Sequence, residues 1–237
     1  MLKGKMSGAV GAYNAMSIIH GNPMEFEETC LADLGIEASE YSNQIVEPEY
    51  LLRLLLELNV AFGILANLAD DLRNLQRSEI AELSEEFTEG QVGSSTMPQK
   101  RNPWNAEHVK SLWKAFSPRV QTFFSDQISE HQRDLSNSAS MRFVCEYIAG
   151  FSAAAARTIK ILARIRINRK ALQKNLGVNG DRILAEPLYI LLALAGENNA
   201  HEIIKGLTLD SEQSGKSLTE LISEKYDIRQ KLERMLS

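Results

Sequence analysis

Apolar residues recur at intervals of three and four along most of the chain. Leu51, Leu52, Leu54, Leu55, Leu58, Phe62, Leu65, Leu68, Ala69 and Leu72 keep this spacing, which is the signature of a helix with one buried face. No proline lies between Pro48 and Pro98, and Gly63 alone falls between Gly35 and Gly90. The pattern predicts one helix from about Glu49 to about Leu83, roughly 50 Å long at 1.5 Å per residue. A helix of that length needs neighbours of similar length, so the expectation is a long bundle. A second helix is expected to carry Pro103 in its first turn with Asn102 as cap. Trp104, Val109, Leu112, Trp113 and Phe116 mark its apolar face. A kink is expected at Pro118, after which Val120, Phe123, Phe124 and Ile128 continue the pattern. A third long helix is predicted from Ser138 to Ala163, with Phe143, Tyr147, Ile148, Phe151, Ala155, Ile159 and Leu162 on one face. The Ala153–Ala156 run permits close packing against a neighbour. Neither an internal repeat nor a strand pattern emerges.

Beyond Arg166 the predicted helices are short, over residues 181–195, 199–206, 216–225 and 228–236. Gly177, Gly180, Gly196, Gly206 and Gly215 punctuate them. The expected fold class is therefore all-α: a long-helix bundle over residues 1–166 and a small helical domain over 167–237. Composition agrees, with 44% hydrophobic and 24% charged residues in 237, which excludes collagen-like and disordered chains. Two cysteines, Cys30 and Cys145, cannot build a disulfide framework or a structural zinc site. They read as small buried hydrophobes in a reducing compartment. No unbroken apolar run approaches the ~18 residues of a membrane span, and Met1–Lys5 leads into no signal-peptide core.

Charge is uneven. Residues 25–92 carry 16 Asp/Glu against 3 Lys/Arg, whereas residues 99–170 carry 5 against 13. One half of an acidic chain can thus receive anions, although complementary solvated helix faces account for the split equally well. The positive charge is spread and sparsely interleaved with aromatics, which argues against nucleic acid. A small polyanion fits better.

The stretch between the first two long helices is Gly90-Gln91-Val92-Gly93-Ser94-Ser95-Thr96-Met97-Pro98-Gln99-Lys100-Arg101-Asn102-Pro103. Its glycines allow close backbone approach, and its hydroxyls and amides can cradle an anion. A plain helix–helix connection with cap residues is the other reading of that composition.

This loop, 90–103, resembles the G-S-S-x-M-P-x-K-x-N-P signature of the fumarase/aspartase superfamily. Three further stretches resemble the bacterial branch of its adenylosuccinate lyase family. They are Gly4-Lys5-Met6-Ser7-Gly8-Ala9-Val10-Gly11-Ala12-Tyr13-Asn14-Ala15, Asn43-Gln44-Ile45, and Gln132-Arg133-Asp134-Leu135-Ser136-Asn137-Ser138 with Arg142 following. Asn43 stands where that branch has Thr. Ile183-Leu184-Ala185-Glu186-Pro187 resembles the start of its C-terminal helical domain.

The resemblance implies β-elimination: a base takes a proton from the carbon beside a carboxylate, and the C–N bond breaks. Adenylosuccinate would release fumarate and leave AMP, and SAICAR would react alike. Ser94 aligns with the catalytic base, a role a serine fills only if surrounding donors and charge activate it. Lys100 and Asn102 align with the carboxylate-binding pair, Asn102 also being able to cap its helix. Arg133, Ser138 and Arg142 align with phosphate contacts, for which a planar guanidinium fork and a short hydroxyl are suited. On a continuous helix, Ser138 and Arg142 share one face. Gln44 aligns with a substrate contact. The general acid of the family is a His upstream of Gly4, which His20, His108, His131 and His201 do not match.

No cofactor and no metal are implied. The expected partner is a phosphorylated succinyl-nucleotide, with no nucleic acid and no membrane, in a cytoplasmic homotetramer whose sites are shared between subunits. The chain then corresponds to a C-terminal half whose bundle is partial, and by itself it is expected to lack lyase activity. Argininosuccinate lyase or carboxymuconate cycloisomerase types are the alternative within the superfamily, disfavoured by the Gln132–Arg142 segment because their substrates lack a phosphate there. A non-catalytic helical oligomerisation fragment is the alternative outside it.

Overall fold

The computed structural model describes residues 2–87, 96–97, 100–128, 135–178 and 180–226. The chain forms two compact units, residues 1–167 and 168–237.

In the first unit, β1 (Lys3–Gly4) pairs in parallel with β2 (Glu37–Ala38). Between them lie a single turn, α1 (Met16–Ile19), and α2 (Pro23–Asp33). The start of α2 follows from Pro23 in its first turn and Asn22, whose side chain accepts from the Glu25 amide at 3.3 Å. Three longer helices make the core: α3 (Glu49–Leu75), α4 (Trp104–Phe116) and α7 (Val144–Arg164). Phe62, Ala69 and Leu72 of α3 pack with Ala106 and Val109 of α4 and with Ala154 and Ile161 of α7. Ala106 and Ala154 are wholly buried, small side chains that let the helix axes approach as the alanine run of α7 predicts. Phe62 meets Phe151 edge-on at 5.7 Å. A second cluster joins Leu52 and Leu55 of α3 to Phe123, Val144 and Tyr147. α3 is long and apolar enough to cross a membrane by length and composition, although Arg53 and Glu57 interrupt its apolar run. Here it serves as the shared core helix.

Five sequence expectations change. α3 ends at Leu75, about eight residues early, although nothing from Gln76 to Glu82 is glycine or proline. The chain turns instead. The Ala81 amide donates to the Arg77 carbonyl at 2.7 Å, and the Glu82 amide reaches back to the Leu75 carbonyl at 3.0 Å. Ala81 adopts φ +52. β3 (Leu83–Ser84) then pairs antiparallel with β4 (Arg166–Ile167). Long-range pairing therefore overrides local helix propensity, and four two-residue strands appear where no strand pattern was read. At Pro118 the kink is a 3₁₀ turn, Ser117–Arg119, followed only by the short α5 (Val120–Ser125), and Ile128 lies exposed beyond it. The third helix is divided into α6 (Ser138–Met141) and α7 by a turn at Arg142–Phe143. Finally, Cys145 is exposed and Cys30 only half-buried, so neither is the enclosed hydrophobe expected.

The second unit holds α8 (Arg169–Leu176), α9 (Ala185–Leu194), α10 (Ala200–Ser214) and α11 (Leu218–Lys225). Leu192, Ile204, Leu207, Leu218, Leu221 and Ile222 are its core. Gly215 ends α10 in the left-handed conformation, at φ +72. Asp181 receives the Leu218 amide at 2.9 Å and the Thr219 amide at 2.6 Å, which closes the start of α11. The helix expected over 228–236 lies outside the described residues.

Candidate active site

The signature loop enters α4. Ser94 lies outside the described residues, whereas Thr96, Met97 and Lys100–Pro103 are inside them. The Lys100 amide donates to the Met97 carbonyl at 3.0 Å, and the Trp104 amide to the Asn102 carbonyl at 2.8 Å. Lys100 is exposed and Asn102 half-buried. The N-cap position of α4 falls to Pro103, which has no capping side chain, rather than to Asn102. Glu85 caps the helix instead. Its carboxylate accepts from the Asn105 amide at 3.0 Å, the Asn105 side-chain amide at 2.8 Å and the Ala106 amide at 2.8 Å.

That arrangement has a chemical consequence. A helix N-terminus is a natural anion site, but this one already holds a carboxylate. An anion at this loop would therefore have to be met by donors of the loop itself, of which Lys100 and Asn102 are among the described residues. The loop is tied to the end of α3 by Gln76, whose side-chain nitrogen donates to the Arg101 carbonyl at 3.2 Å. Its side-chain oxygen accepts from the Glu85 amide at 2.8 Å. Arg101 stacks over Phe87 at 4.0 Å. Arg157 of α7 donates to the Asn105 side chain at 2.7 Å and lies over Trp104 at 5.5 Å.

The segment around α6 is anchored separately. Arg133 lies outside the described residues, as does His131. Ser138 opens α6 and is half-buried, and Arg142 follows α6 and is exposed. The residue that ties this segment down is Ser140, whose hydroxyl lies 2.7 Å from both carboxylate oxygens of Asp126. Asn137 donates to the Asp126 carbonyl at 3.1 Å. All three are buried. Sequence reading overlooked Asp126, and the acid just past an apolar helix face was the signal that could have pointed to it.

Gln44 sits in the exposed approach to α3. Residues 39–43 and 45–49 line a cavity of about 400 Å³ together with Ser7, Gly11, Tyr13 and Met24, and Gln44 itself is not among its lining residues. Gly11 is required there: it has φ +73, and a Cβ would lie 1.8 Å from the Ser42 carbonyl oxygen. The segment 4–15 is held from beneath by Glu27, 2% exposed, which accepts from the Met6 amide and from the Tyr13 hydroxyl. The Glu27 carboxylate as hydrogen-bond partner, with burial adding to it, pushes the Tyr13 phenol up to about 12. Among the described residues, no group of three or more His, Cys, Asp or Glu could hold a metal ion.

The three described groups do not converge. Gln44 precedes the first turn of α3, whereas Gln76 fixes Lys100–Asn102 beside its last. Twenty-seven helical residues separate those ends, about 40 Å. The α6 segment lies toward the Gln44 end, because Phe123 and Val144 on either side of it pack on Leu52 and Leu55.

Comparison with known proteins gives these residues a context. Residues 129–237 match the family described as "Adenylosuccinate lyase C-terminal", and residues 1–115 match that described as "Lyase". Adenylosuccinate lyase of Pyrococcus horikoshii is 33% identical over 96% of this chain and 51% of its own length. The Aquifex aeolicus enzyme of that name is 29% identical over 100% of this chain and 54% of its own. The chain thus spans about half the length of the curated relatives it matches. Among solved structures, 3-carboxy-cis,cis-muconate lactonizing enzyme from Pseudomonas putida superposes with a TM-score of 0.77 at 21% identity. It covers 96% of this chain and 50% of that one. Fumarate lyase from Mesorhizobium sp. BNC1 gives 0.73 at 17% identity, over 94% and 49% respectively. The structural likeness carries the fold alone. The two family matches, which together take in nearly all of the sequence, and the relatives place the chain in the adenylosuccinate lyase family of the fumarase/aspartase superfamily.

Proposed function

We propose that this chain supplies part of the active site of an adenylosuccinate lyase, cleaving adenylosuccinate to AMP and fumarate and SAICAR in the same way. The observation that carries the reading is the 93–103 motif, joined to one chain with the Gln132–Arg142 segment. The first is suited to a succinyl group and the second to a phosphate. Ser94 takes the proton beside the carboxylate, and the electron pair left on that carbon becomes the double bond of fumarate as the C–N bond breaks. The leaving nitrogen takes a proton from the general acid, which the family resemblance assigns to a histidine that His20, His108, His131 and His201 do not match. The dianionic intermediate needs fixed donors: Lys100 supplies charge and Asn102 a directed hydrogen bond. Arg133, Ser138 and Arg142 receive the phosphate, and Gln44 contacts the substrate.

The separation of these groups favours a site shared between copies in a homotetramer. So does the exposed apolar surface of the core helices, Val60 and Ile64 on α3 and Ile159 and Leu162 on α7, which another copy can cover. A cytoplasmic location suits purine nucleotide synthesis. The test is fumarate release from adenylosuccinate by the protein expressed from the whole reading frame that encodes this chain. Ser94→Ala is expected to abolish turnover while sparing substrate binding, and Arg133→Ala to weaken binding of the phosphorylated substrate. Normal turnover by Ser94→Ala refutes the assignment of the base.

A further inference from the structure

We propose that Lys5 is a positioning residue for Gln44, holding the backbone on both sides of it so that its side chain is presented to substrate. The inference rests on the reading of Gln44 as a substrate contact. Lys5 Nζ donates to the carbonyls of Gly8 at 2.5 Å, Asn43 at 2.5 Å and Gln44 at 2.9 Å. An ammonium has three protons and no acceptor, and here three carbonyls converge on it. The Asn43 carbonyl belongs to the peptide plane before the Gln44 Cα, and the Gln44 carbonyl to the plane after it. Peptide planes are rigid. Fixing both sets φ and ψ of Gln44, and with them the direction of its Cα–Cβ bond. The side chain itself is exposed, and its amide takes no hydrogen-bond partner among the described residues. A held backbone carrying a free polar side chain is the arrangement a contact residue needs.

The clamp is mounted on fixed ground. Lys5 directly follows β1, and the next amide, that of Met6, is bound by buried Glu27. The neighbouring residue of the same loop is gripped from the same segment: Ser7 Oγ lies 3.0 Å from Ser42 Oγ, and Gly11 sits against the Ser42 carbonyl. Burial lowers the Lys5 pKa, while the negative charge of Glu27 opposes the shift. Lys5 is half-buried. Arginine is a poor substitute, because a planar fork cannot meet three convergent acceptors as a tetrahedral ammonium does.

The test measures steady-state fumarate release against adenylosuccinate concentration, with protein from the whole reading frame that encodes this chain. Gln44→Ala is expected to raise KM about tenfold, the equivalent of one lost directed hydrogen bond. Lys5→Met should raise KM by a similar factor with kcat little changed, and Lys5→Arg by less. The Lys5→Met/Gln44→Ala double variant should be no worse than either single one, because both remove the same interaction. A lysine that merely stabilised the fold would give additive losses, about hundredfold, and would overturn the proposal. If Lys5→Met does not fold, Lys5→Arg and Lys5→Arg/Gln44→Ala carry the same comparison. Raised KM in Gln44→Ala with normal KM in the Lys5 variants overturns the role of Lys5 alone. Normal KM in Gln44→Ala overturns the contact, and a wild-type protein that releases no fumarate overturns the function, each taking the proposal with it.

Discussion

Glu85 is the place where one substitution most directly tests how the signature loop is joined to α4. Its half-buried carboxylate closes the first turn of α4, accepting two backbone amides and the Asn105 side chain. In Glu85→Ala the Asn105 groups can turn to water. Ala106 is 0% exposed, so its amide is left without a partner in a site water reaches poorly, at a cost of roughly 1–3 kcal/mol. Loss of a helix cap costs about 0.5–2 kcal/mol, and loss of a negative charge at the positive end of the dipole about 0.3–1. These contributions overlap, so the expected total is about 2–4 kcal/mol. With a urea m-value of about 2 kcal/mol/M, the midpoint should fall by about 1–2 M. Both tryptophans, Trp104 and Trp113, lie on α4, so their fluorescence reports this unit directly. Glu85→Gln keeps one carbonyl acceptor and should lose only about 1 kcal/mol. An unchanged midpoint in Glu85→Ala, or equal losses in the two variants, would refute the capping argument.

Gly150→Ala replaces a helical glycine, which by propensity alone should stabilise α7 by about 1 kcal/mol. Its Cβ would lie 2.6 Å from the Phe116 ring, and overpacking of that kind costs roughly 1–3 kcal/mol. A lowered urea midpoint is therefore expected, and a raised one contradicts the packing. Asp70→Asn probes the link between α3 and α4, where Lys110 at 2.5 Å and Arg73 at 2.6 Å meet the carboxylate. The Lys110 hydrogen bond above all holds the Asp70 pKa below its ordinary value. A depressed folded-state pKa means that the stabilisation is complete above the unfolded value of about 4 and is lost as pH falls through the folded one. The variant should be less stable than the parent at neutral pH and converge with it in acid; a pH-independent gap rules this out.

The core helices were legible because burial imposes its period on the sequence. Leu52, Leu55, Phe62, Ala69 and Leu72 recur at helical spacing since one face of α3 meets α4 and α7. The ends were not legible, because distant residues decide them. Gln76–Glu82 would extend a helix on local preference, but Gln76 spends its side chain on Arg101 and Glu85, and Leu83–Ser84 pair with residues more than 80 positions away. The interruption at Arg142–Phe143 follows a segment held by Ser140 on Asp126. Asn102 was expected to cap α4 from sequence neighbourhood alone, whereas the acceptor that does so approaches from 20 residues upstream.

The site presents the opposite difficulty: its residues stand out by identity, but their distance apart depends on the helix between them. Gln44 and the Lys100–Asn102 pair lie at opposite ends of α3, whose 27 residues span about 40 Å. A small-molecule substrate cannot touch both in one chain. If both contact substrate, each site must draw them from different copies, and closed symmetry makes every copy contribute at both places. Gln44 and Lys100 variants chosen for strong loss of activity then fail at complementary positions. Mixed in equal amounts, unfolded and refolded together, they should regenerate sites that carry both native residues, at about a quarter of all sites for random assembly. Fumarate release should rise well above that of either variant alone. If each site lay within one chain, mixing would restore nothing, and either Gln44 or the Lys100–Asn102 pair would lose its role at the substrate.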